Sequence, residues 1–444
     1  MVVTIIINAA INSTLYFCRM NLIERDRLFV WHPFTQQKNM AAPLAITSAK
    51  DSLLFDEDNN NYIDAISSWW VNIHGHANEY IATKLYEQAL TLEHIIFAGF
   101  THEPAVNLAE RLLKILPGNF SKIFYSDDGS TSTEVAIKMS IQYWWNQSMA
   151  DSQQSTVKRN KILAFTNAYH GDTFGAMSVS DRSVFTLAFH DVLMEVIFID
   201  TPDKSNISLI KEKIAEHADS IAAFIYEPLV QGAGGMKMYD AVLFDELLHF
   251  IKQKNIICIA DEVMTGFGRT GKMFASEYLQ TKPDIICMSK GLTGGTIALG
   301  ATACSEKIYQ AFVHDDALKT FFHGHSFTAN PLACTAANAS LDLFEKNNLI
   351  AAVENITEQN IVFAQQLKQL EGIKNVRVLG TILAFEVTKG EDVYLNNVSQ
   401  TITKKAMGKG VYIRPLGNTV YIMPPYCITA EELSKLYAVL LEVL

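Results

Sequence analysis

The feature of the sequence that most constrains its fold is a series of short apolar segments between residues 123 and 288. Each has the length of a strand, and the intervening segments are long enough for crossover helices. An uninterrupted apolar strand must be covered on both faces, so this alternation predicts an α/β fold with a mostly parallel sheet between helices. The predicted strands are Ile123–Tyr125, Ile162–Phe165, Val196–Ile199, Ala222–Tyr226, Ile256–Ala260 and Ile285–Met288.

The two ends of the chain show a different pattern, typical of a smaller α+β domain. A short helix is predicted at residues 21–30, and strand-like segments follow it at Leu44–Ile46 and Leu53–Phe55. Near the other end, Val411–Ile413 and Val420–Met423 look like a hairpin. Thr429 begins the last helix with the spacing of a capping box. A length of 444 residues suits one large and one small domain. We therefore predict a small domain made of residues 20–64 and 335–444, around a large domain of residues 65–334.

Composition excludes several classes of function. The net charge of -11 argues against nucleic acid as a partner, and no segment is long and apolar enough to span a membrane. The six cysteines contain no CxxC pair, which predicts a reducing, cytoplasmic compartment and no metal site. Residues 1–19 resemble a signal peptide only weakly, so we interpret them as an extension or an over-extended start before Met20. The intact mass of the native protein would decide.

Two charged residues stand at the ends of predicted strands. Asp261 ends one strand and Lys290 follows the next, 29 residues later. Ligands of open α/β sheets bind at the carboxyl ends of strands, where a carboxylate and an amine could hold the ring nitrogen and the aldehyde of pyridoxal phosphate. Taken alone, Asp261 could be a helix cap and Lys290 a solvated charge.

Two further segments follow strands in the same way. Residues 126–134 join a strand to a helix, and Gly129 and Ser130 stand where free backbone N–H groups could bind a phosphate. Thr131 and Glu134 have the spacing of a capping box. The alternative to a phosphate site is an ordinary capped helix. Tyr169 could lie on a planar cofactor or pack near the core. His170 is interpreted as structural.

Together these motifs resemble class III (ω-type) aminotransferases of PLP fold type I. The resemblance rests on Asp261-Glu-Val-Met-Thr-Gly-Phe-Gly-Arg-Thr-Gly271 and Ser289-Lys-Gly291. Trp31-His-Pro-Phe-Thr35, Ser67-Ser-Trp-Trp70 and Arg414-Pro followed by Tyr421-Ile-Met-Pro-Pro-Tyr426 narrow it to the members that make 7,8-diaminononanoate in biotin biosynthesis. It covers roughly residues 20 to 444 and implies a seven-stranded sheet in the large domain.

The resemblance also implies roles for individual residues. Lys290 would form the Schiff base with the cofactor and move the substrate proton in a ping-pong reaction, with Asp261 on the pyridine nitrogen. The phosphate would be bound by Gly129 and Ser130. His325 and Ser326 of a neighbouring subunit would complete this site, which implies a homodimer. Trp69 and Tyr169 would line the substrate pocket, Gly324 would touch substrate, and Arg414 would bind the carboxylate of 8-amino-7-oxononanoate. Arg269 would contact the side that binds S-adenosyl-L-methionine, and Glu227 would support the pocket. Phe34 and Tyr421 are further candidates in the substrate pocket.

Several positions depart from the family pattern. Phe34 stands where many members have a tyrosine. His325 stands where proline is frequent, and Ser326 stands where threonine is frequent. Asp128 occupies a position at which a small hydroxyl residue is more common. The substitution at Phe34 leaves the identity of the amino donor open, because some relatives use lysine instead of S-adenosyl-L-methionine. Another class III ω-aminotransferase and a catalytically silent PLP-binding relative remain as alternatives.

Overall fold

The computed structural model describes residues 20–148, 159–388 and 397–444. The predicted extension, residues 1–19, lies outside these ranges. Among the described residues, no helix is long and apolar enough to cross a membrane.

The predicted α/β architecture is confirmed. Seven strands form one sheet in the order β4-β12-β11-β10-β7-β5-β6, and only β12 runs antiparallel to its neighbours. Helices cover both faces, and the central strands are buried throughout because they carry no polar face. The strands of this sheet are β4 (Phe120–Ser126), β5 (Lys161–Phe165), β6 (Val196–Ile199), β7 (Ile221–Tyr226), β10 (Ile257–Asp261), β11 (Ile285–Met288) and β12 (Gly300–Ser305).

Strand β12 is the one strand of this sheet that the apolar pattern does not identify. Its sequence, Gly-Ala-Thr-Ala-Cys-Ser, consists of small residues without the large apolar side chains that mark the other strands. Small side chains suit its position between β4 and β11, where it is almost entirely buried.

Two smaller sheets lie outside the seven-stranded one. Strands β1, β2 and β3 form an antiparallel sheet that β15, from the other end of the chain, extends in parallel. Strands β13, β14 and β16 form the second, and β8 pairs with β9 in a short ribbon. The bounds are β1 (Ile46–Lys50), β2 (Leu53–Asp56), β3 (Asn61–Asp64), β8 (Val230–Gln231), β9 (Lys237–Met238), β13 (Ile373–Leu379), β14 (Ile382–Val387), β15 (Val411–Tyr412) and β16 (Thr419–Ile422).

The predicted hairpin near residue 416 is wrong. Strand β15 pairs with β3 and β16 pairs with β14, so the two segments belong to different sheets. A single antiparallel bridge between Leu416 and Thr419 closes the turn between them. Local turn chemistry identifies the turn, but the hydrogen-bond partners of the flanking strands are set by distant segments.

The helices follow the predicted pattern, with one break. The segment expected to be helical to about residue 370 is two helices separated at Asn347 and Asn348, and Asn348 adopts a left-handed conformation with φ of 46°. Thr429 caps the last helix with the expected capping box. The helices are Leu22–Phe29, Glu79–Ala89, Glu103–Ile115, Gly129–Ser148, Phe174–Val179, Ile207–His217, Ala241–Gln253, Glu306–Gln310, Pro331–Lys346, Leu349–Leu367, Asn397–Met407 and Ala430–Val443.

Candidate active site

The ends of β10 and β11 bring the two key charged residues to one edge of the sheet. The strands are parallel neighbours, with Asp261 opposite Cys287 in the register. Asp261 is the last residue of β10, and Lys290 lies three residues beyond Cys287. Both line a cavity of about 430 Å³ at the carboxyl ends of the strands, where a ligand is expected.

Lys290 is held in an unusual conformation beside an aromatic ring. Its backbone has φ of 46°, a region that residues other than glycine seldom adopt and that often marks functional positions. Its Nζ lies 4.5 Å from the centroid of the Trp70 ring. Burial lowers the pKa of Lys290 to about 8, and the carboxylates of Asp261 and Glu227 act in the opposite direction. An amine with this pKa can gain or lose a proton near neutral pH.

Asp261 is fixed by two hydrogen bonds. Its Oδ2 lies 2.7 Å from Nδ1 of His170, and its Oδ1 accepts a hydrogen bond from the backbone N–H of Val263 at 3.0 Å. Asp261 is only 5% exposed, so few orientations remain open to it. His170, which the sequence left without a function, therefore orients the carboxylate.

The turn after β4 supplies a helix N-terminus to the same cavity. Gly129 and Ser130 begin the helix Gly129–Ser148 and line the cavity beside Lys290. First-turn N–H groups have no intrahelical acceptor, so they can bind an anion. Gly171 fits against this turn without a side chain, because a Cβ on it would lie 2.2 Å from Oγ of Ser130.

The predicted capping box of Thr131 and Glu134 is wrong. The helix begins two residues earlier, and Oδ1 of Asp128 accepts the hydrogen bond from the backbone N–H of Thr131 at 2.8 Å. Glu134 instead accepts hydrogen bonds from the N–H groups of Gly175 and Ala176 in the helix Phe174–Val179. Capping by Asp128 turns its carboxylate toward the helix, which is how an acidic residue fits at this turn.

Tyr169 and Glu227 form another part of the cavity wall. The Tyr169 hydroxyl donates to Oδ2 of Asp172 at 2.9 Å, and the Tyr169 backbone N–H donates to Oε1 of Glu227 at 3.1 Å. Oε2 of Glu227 accepts a hydrogen bond from the N–H of Gly232 at 2.8 Å. Burial raises the pKa of Glu227 to about 7. Tyr169 and Gly171 also line a second cavity of about 910 Å³, so space for a larger substrate adjoins the first cavity.

An aromatic and cationic cluster contains Phe34, Trp69 and Arg414. The guanidinium of Arg414 lies 4.9 Å from the centroid of the Trp69 ring, and the Phe34 and Trp69 rings are 5.5 Å apart. Among the described residues, arginine–carboxylate pairs involve Arg111, Arg159 and Arg377, and Arg414 is not one of them. Its charge therefore remains available for an acidic ligand.

The turn that carries both tryptophans has a strained backbone. Ser67, Ser68, Trp69 and Trp70 all have φ between 45° and 74°, which forms one turn of left-handed helix. Each such residue costs about 1–2 kcal/mol without compensating contacts. The Ser68 hydroxyl donates to Oδ2 of Asp64 at 2.7 Å, and the Ser67 hydroxyl donates to the carbonyl oxygen of Met423 at the same distance.

Trp70 is a site residue that the sequence did not single out. It is 4% exposed, lines the cavity, and donates from Nε1 to the Tyr421 hydroxyl at 2.9 Å. Tyr421 is thus a support for Trp70 and is itself buried. Two adjacent tryptophans usually indicate core, and nothing in the sequence reveals the left-handed turn that brings Trp70 into the cavity and places Trp69 beside Arg414.

Arg269 does not line the cavity. Its side chain is 1% exposed, and its guanidinium donates to backbone carbonyls of Trp70, Asn72 and Pro424 at 3.4, 3.3 and 2.8 Å. It also lies over the Tyr426 ring. In the structure its guanidinium connects the backbone at Trp70 and Asn72 to the C-terminal part of the chain, and its expected contact on the S-adenosyl-L-methionine side stays a prediction.

The segment that contains Gly324, His325 and Ser326 lies outside the cavity of its own chain. Gly324 is exposed and has open space around it. The ring of His325 lies against that of His323, with 3.2 Å between the Nε2 atoms, and Nδ1 of His325 is 3.7 Å from Oδ2 of Asp127. Gly324, His325 and Ser326 do not line the described cavity beside Lys290, and their predicted roles in the site of a neighbouring subunit stay predictions.

The residues around the cavity fit pyridoxal phosphate. A helix N-terminus with close-packed glycines suits the phosphate, the fixed carboxylate of Asp261 suits a protonated ring nitrogen, and Lys290 supplies an amine for the aldehyde. Among the described residues, no cluster of His, Cys, Asp or Glu could hold a metal ion.

Comparisons with known proteins agree with this geometry. The family model described as aminotransferase class-III matches residues 34–444. The chain is 43% identical to the adenosylmethionine-8-amino-7-oxononanoate aminotransferase of Synechococcus elongatus, over 94% of this chain and 98% of the relative. The crystal structure of the enzyme of that name from Methanocaldococcus jannaschii has a TM-score of 0.89 and 34% identity, over 95% of this chain and 98% of that one. An amine transaminase from an uncultivated Pseudomonas species, in a PLP-bound form, has a TM-score of 0.85 and 29% identity, over 94% and 98% of the two chains.

The left-handed turn predicts the effect of changing Asp64. Burial would raise the pKa of this carboxyl, but hydrogen bonds from His76 and Ser68 hold it below its ordinary value. Asp64→Ala removes both contacts, with partly buried His76 and exposed Ser68, and each contact is worth about 0.5–1.5 kcal/mol. We expect a lower unfolding midpoint and a red shift of tryptophan fluorescence as Trp69 and Trp70 gain exposure.

The exposed Asp58→Ala provides the control, because that residue lies in the preceding turn and away from the tryptophans. Unchanged midpoint and fluorescence in Asp64→Ala would show that this carboxylate does not hold the turn.

Proposed function

We propose that this chain, which belongs to the class III aminotransferases, transfers an amino group to 8-amino-7-oxononanoate and so makes 7,8-diaminononanoate in biotin biosynthesis. S-adenosyl-L-methionine is the proposed amino donor and pyridoxal 5'-phosphate the cofactor. The observation that carries the proposal is the meeting of Lys290 and Asp261 at the ends of neighbouring parallel strands, in one cavity with a helix N-terminus. Relatives named adenosylmethionine-8-amino-7-oxononanoate aminotransferase support the choice of substrate.

In this proposal each of the main residues that line the cavity has a defined role in binding the cofactor or in moving a proton. When bound, pyridoxal phosphate supplies a ring that accepts electrons from the substrate carbon that loses its proton. Lys290 holds the aldehyde carbon and, once free, moves the proton between substrate and cofactor. Asp261, oriented by His170, keeps the ring nitrogen protonated. The N–H groups of Gly129 and Ser130 bind the phosphate.

The substrate side of the proposal rests on the cluster of Phe34, Trp69 and Arg414. 8-Amino-7-oxononanoate has an aliphatic chain with a carboxylate at one end and the reacting carbonyl near the other. An unpaired guanidinium beside aromatic rings can bind such a carboxylate while the rings cover the chain. Tyr169, between the two cavities, would contact the bound substrate from the opposite wall.

We further propose that the enzyme is a homodimer with shared active sites. Gly324, His325 and Ser326 lie in a segment that turns large apolar side chains outward: Phe322 is 71% exposed and Phe327 is 59% exposed. Apolar side chains this exposed suggest a subunit interface. Gly324 would then touch substrate, and His325 and Ser326 would reach the phosphate of the partner's cofactor. The five described cysteines are free thiols, which fits the proposed cytoplasmic location.

The proposed function is tested by offering S-adenosyl-L-methionine and lysine in parallel to the enzyme with pyridoxal phosphate. We expect S-adenosyl-L-methionine to bleach the visible band of the cofactor and to yield 7,8-diaminononanoate when 8-amino-7-oxononanoate is added. Lys290→Ala should lower product formation to background, whereas Lys307→Ala, an exposed lysine away from the cavity, should retain full activity.

The alternatives give different results in the same assay. Bleaching by lysine alone would make lysine the donor. A product with ω-amino acids or diamines, but none with 8-amino-7-oxononanoate, would indicate another class III ω-aminotransferase. A stable band that no donor bleaches would indicate a catalytically silent PLP-binding protein.

Arg414→Lys tests the proposed carboxylate site. Lysine keeps the charge but cannot form two parallel hydrogen bonds to a carboxylate. Loss of one charge-assisted hydrogen bond corresponds to about a tenfold to hundredfold increase in KM for 8-amino-7-oxononanoate, with a smaller effect on kcat. Steady-state kinetics with that substrate varied provide the measurement.

The matched control is Arg159→Lys, because Arg159 also lies over a tryptophan ring, that of Trp144, but away from the cavity. An equal KM in Arg414→Lys and the unmodified enzyme would place the substrate carboxylate elsewhere.

The pKa of Lys290 predicts how the chain captures its cofactor. Only the neutral amine attacks an aldehyde, and the neutral fraction increases with pH until the pKa is passed. With burial lowering the pKa of Lys290 to about 8, the rate of pyridoxal phosphate binding should rise with pH and be half-maximal near that value. Growth of the visible cofactor band after mixing, recorded across a pH series, measures this rate. A rate that continues to rise toward pH 10.5, the ordinary pKa of lysine, would contradict the lowered value.

A further inference from the structure

The amino group of Lys290 rests on a ring where a buried lysine would ordinarily have a carboxylate. The carboxylates of Asp261 and Glu227 act electrostatically on this amino group, but among the described residues their hydrogen bonds are made with groups other than Lys290. Asp261 is bound to His170 and to the backbone of Val263, and Glu227 accepts hydrogen bonds from two backbone N–H groups. The face of Trp70, 4.5 Å from Nζ to the ring centroid, is the contact that remains.

The position of the Trp70 ring is set from several sides. Nε1 is bonded to the Tyr421 hydroxyl, and the two rings meet edge to face with centroids 6.2 Å apart. Its carbonyl oxygen accepts a hydrogen bond from Arg269 at 3.4 Å, and its backbone has φ of 74°. A backbone of this kind persists only where surrounding contacts enforce it. The ring is therefore held in place before Lys290 reaches it.

We propose that the face of the Trp70 ring is the resting position of the Lys290 amino group whenever that group is not bonded to the cofactor. Trp70 is then a positioning residue that acts through Lys290. The proposal rests on the function proposed above, in which Lys290 is released and must remain close to the reacting carbon. Tryptophan gives the strongest attraction of any side chain between a ring face and an ammonium group.

An aromatic ring suits this task better than a carboxylate. A carboxylate in direct contact would hold the ammonium proton strongly, whereas a ring face attracts the cation without accepting its proton. The lysine can therefore be positioned and still give up its proton to the cofactor or the substrate. Besides the attraction of the ring, Lys290 is affected by the charges of Asp261, Glu227 and Arg269. The titratable side chains of His170 and Tyr169 also line the cavity.

Fluorinated tryptophans at position 70 test the proposal without changing the shape of the ring appreciably. Each added fluorine weakens the negative potential of the ring face. The full-length chain is labelled with [ε-13C]lysine, and the pKa of Lys290 is measured by NMR titration with and without pyridoxamine 5'-phosphate. The resonance is assigned by its absence in Lys290→Arg. We expect the pKa of Lys290 to fall stepwise with fluorination, by up to about one unit.

The same fluorinated residues at Trp145, which is 45% exposed, provide the control and should leave the pKa of Lys290 unchanged. If Trp70 only excludes water, fluorination at position 70 leaves that pKa unchanged or raises it, and either result overturns the proposal. In the loaded enzyme, the rate at which S-adenosyl-L-methionine bleaches the cofactor band should fall in the same order as the pKa. A chain that binds no cofactor would refute the proposed function, while the titration of the unloaded chain would still decide the role of Trp70.

Discussion

The parallel pairing of β10 with β11 is the interaction on which the site depends. It places Asp261 opposite Cys287 and so fixes the distance along the sheet edge between the carboxylate and Lys290. Successive side chains of a strand point to opposite faces, so a shift of one residue would turn Asp261 away from the cavity. The strands can hold this register because both are fully buried. The apolar sequence that defines the fold therefore also sets the geometry of the site.

Around this rigid edge, the chain uses strained backbone and buried charge to position side chains. Lys290 and the four residues from Ser67 to Trp70 all have positive φ, which a folded chain maintains only by compensating contacts. Arg269 contributes to them, since its buried guanidinium joins the carbonyl of Trp70, in the left-handed turn, and that of Asn72, just after it, to that of Pro424. This explains why a charged residue is buried here: its hydrogen bonds connect parts of the chain that are about 150 to 200 residues apart in sequence.

The sequence predicted the parts of this structure that follow from local pattern. Buried apolar strands and the charged residues at their ends were visible because each is a short, continuous signal, and Asp261 and Lys290 were found in this way. The role of His170, the capping by Asp128 and the burial of Arg269 were missed because each depends on a partner distant in sequence or on the exact start of a helix. Strand β12 was not predicted for a different reason. Its small residues fit between two neighbouring strands, but they do not form the run of large apolar side chains by which the other strands were recognised.

The left-handed turn also explains how two cations can serve one substrate. Trp70 contacts Lys290 and the adjacent Trp69 contacts Arg414, so consecutive residues hold the amine and the guanidinium. In a helical turn, neighbouring side chains point in directions about 100° apart. One turn can therefore present a ring to each cation while the backbone keeps the two rings in a fixed relation. A substrate with a reacting carbonyl near one end and a carboxylate at the other suits this arrangement, because one rigid element, and not two independent loops, carries the rings beside both cations.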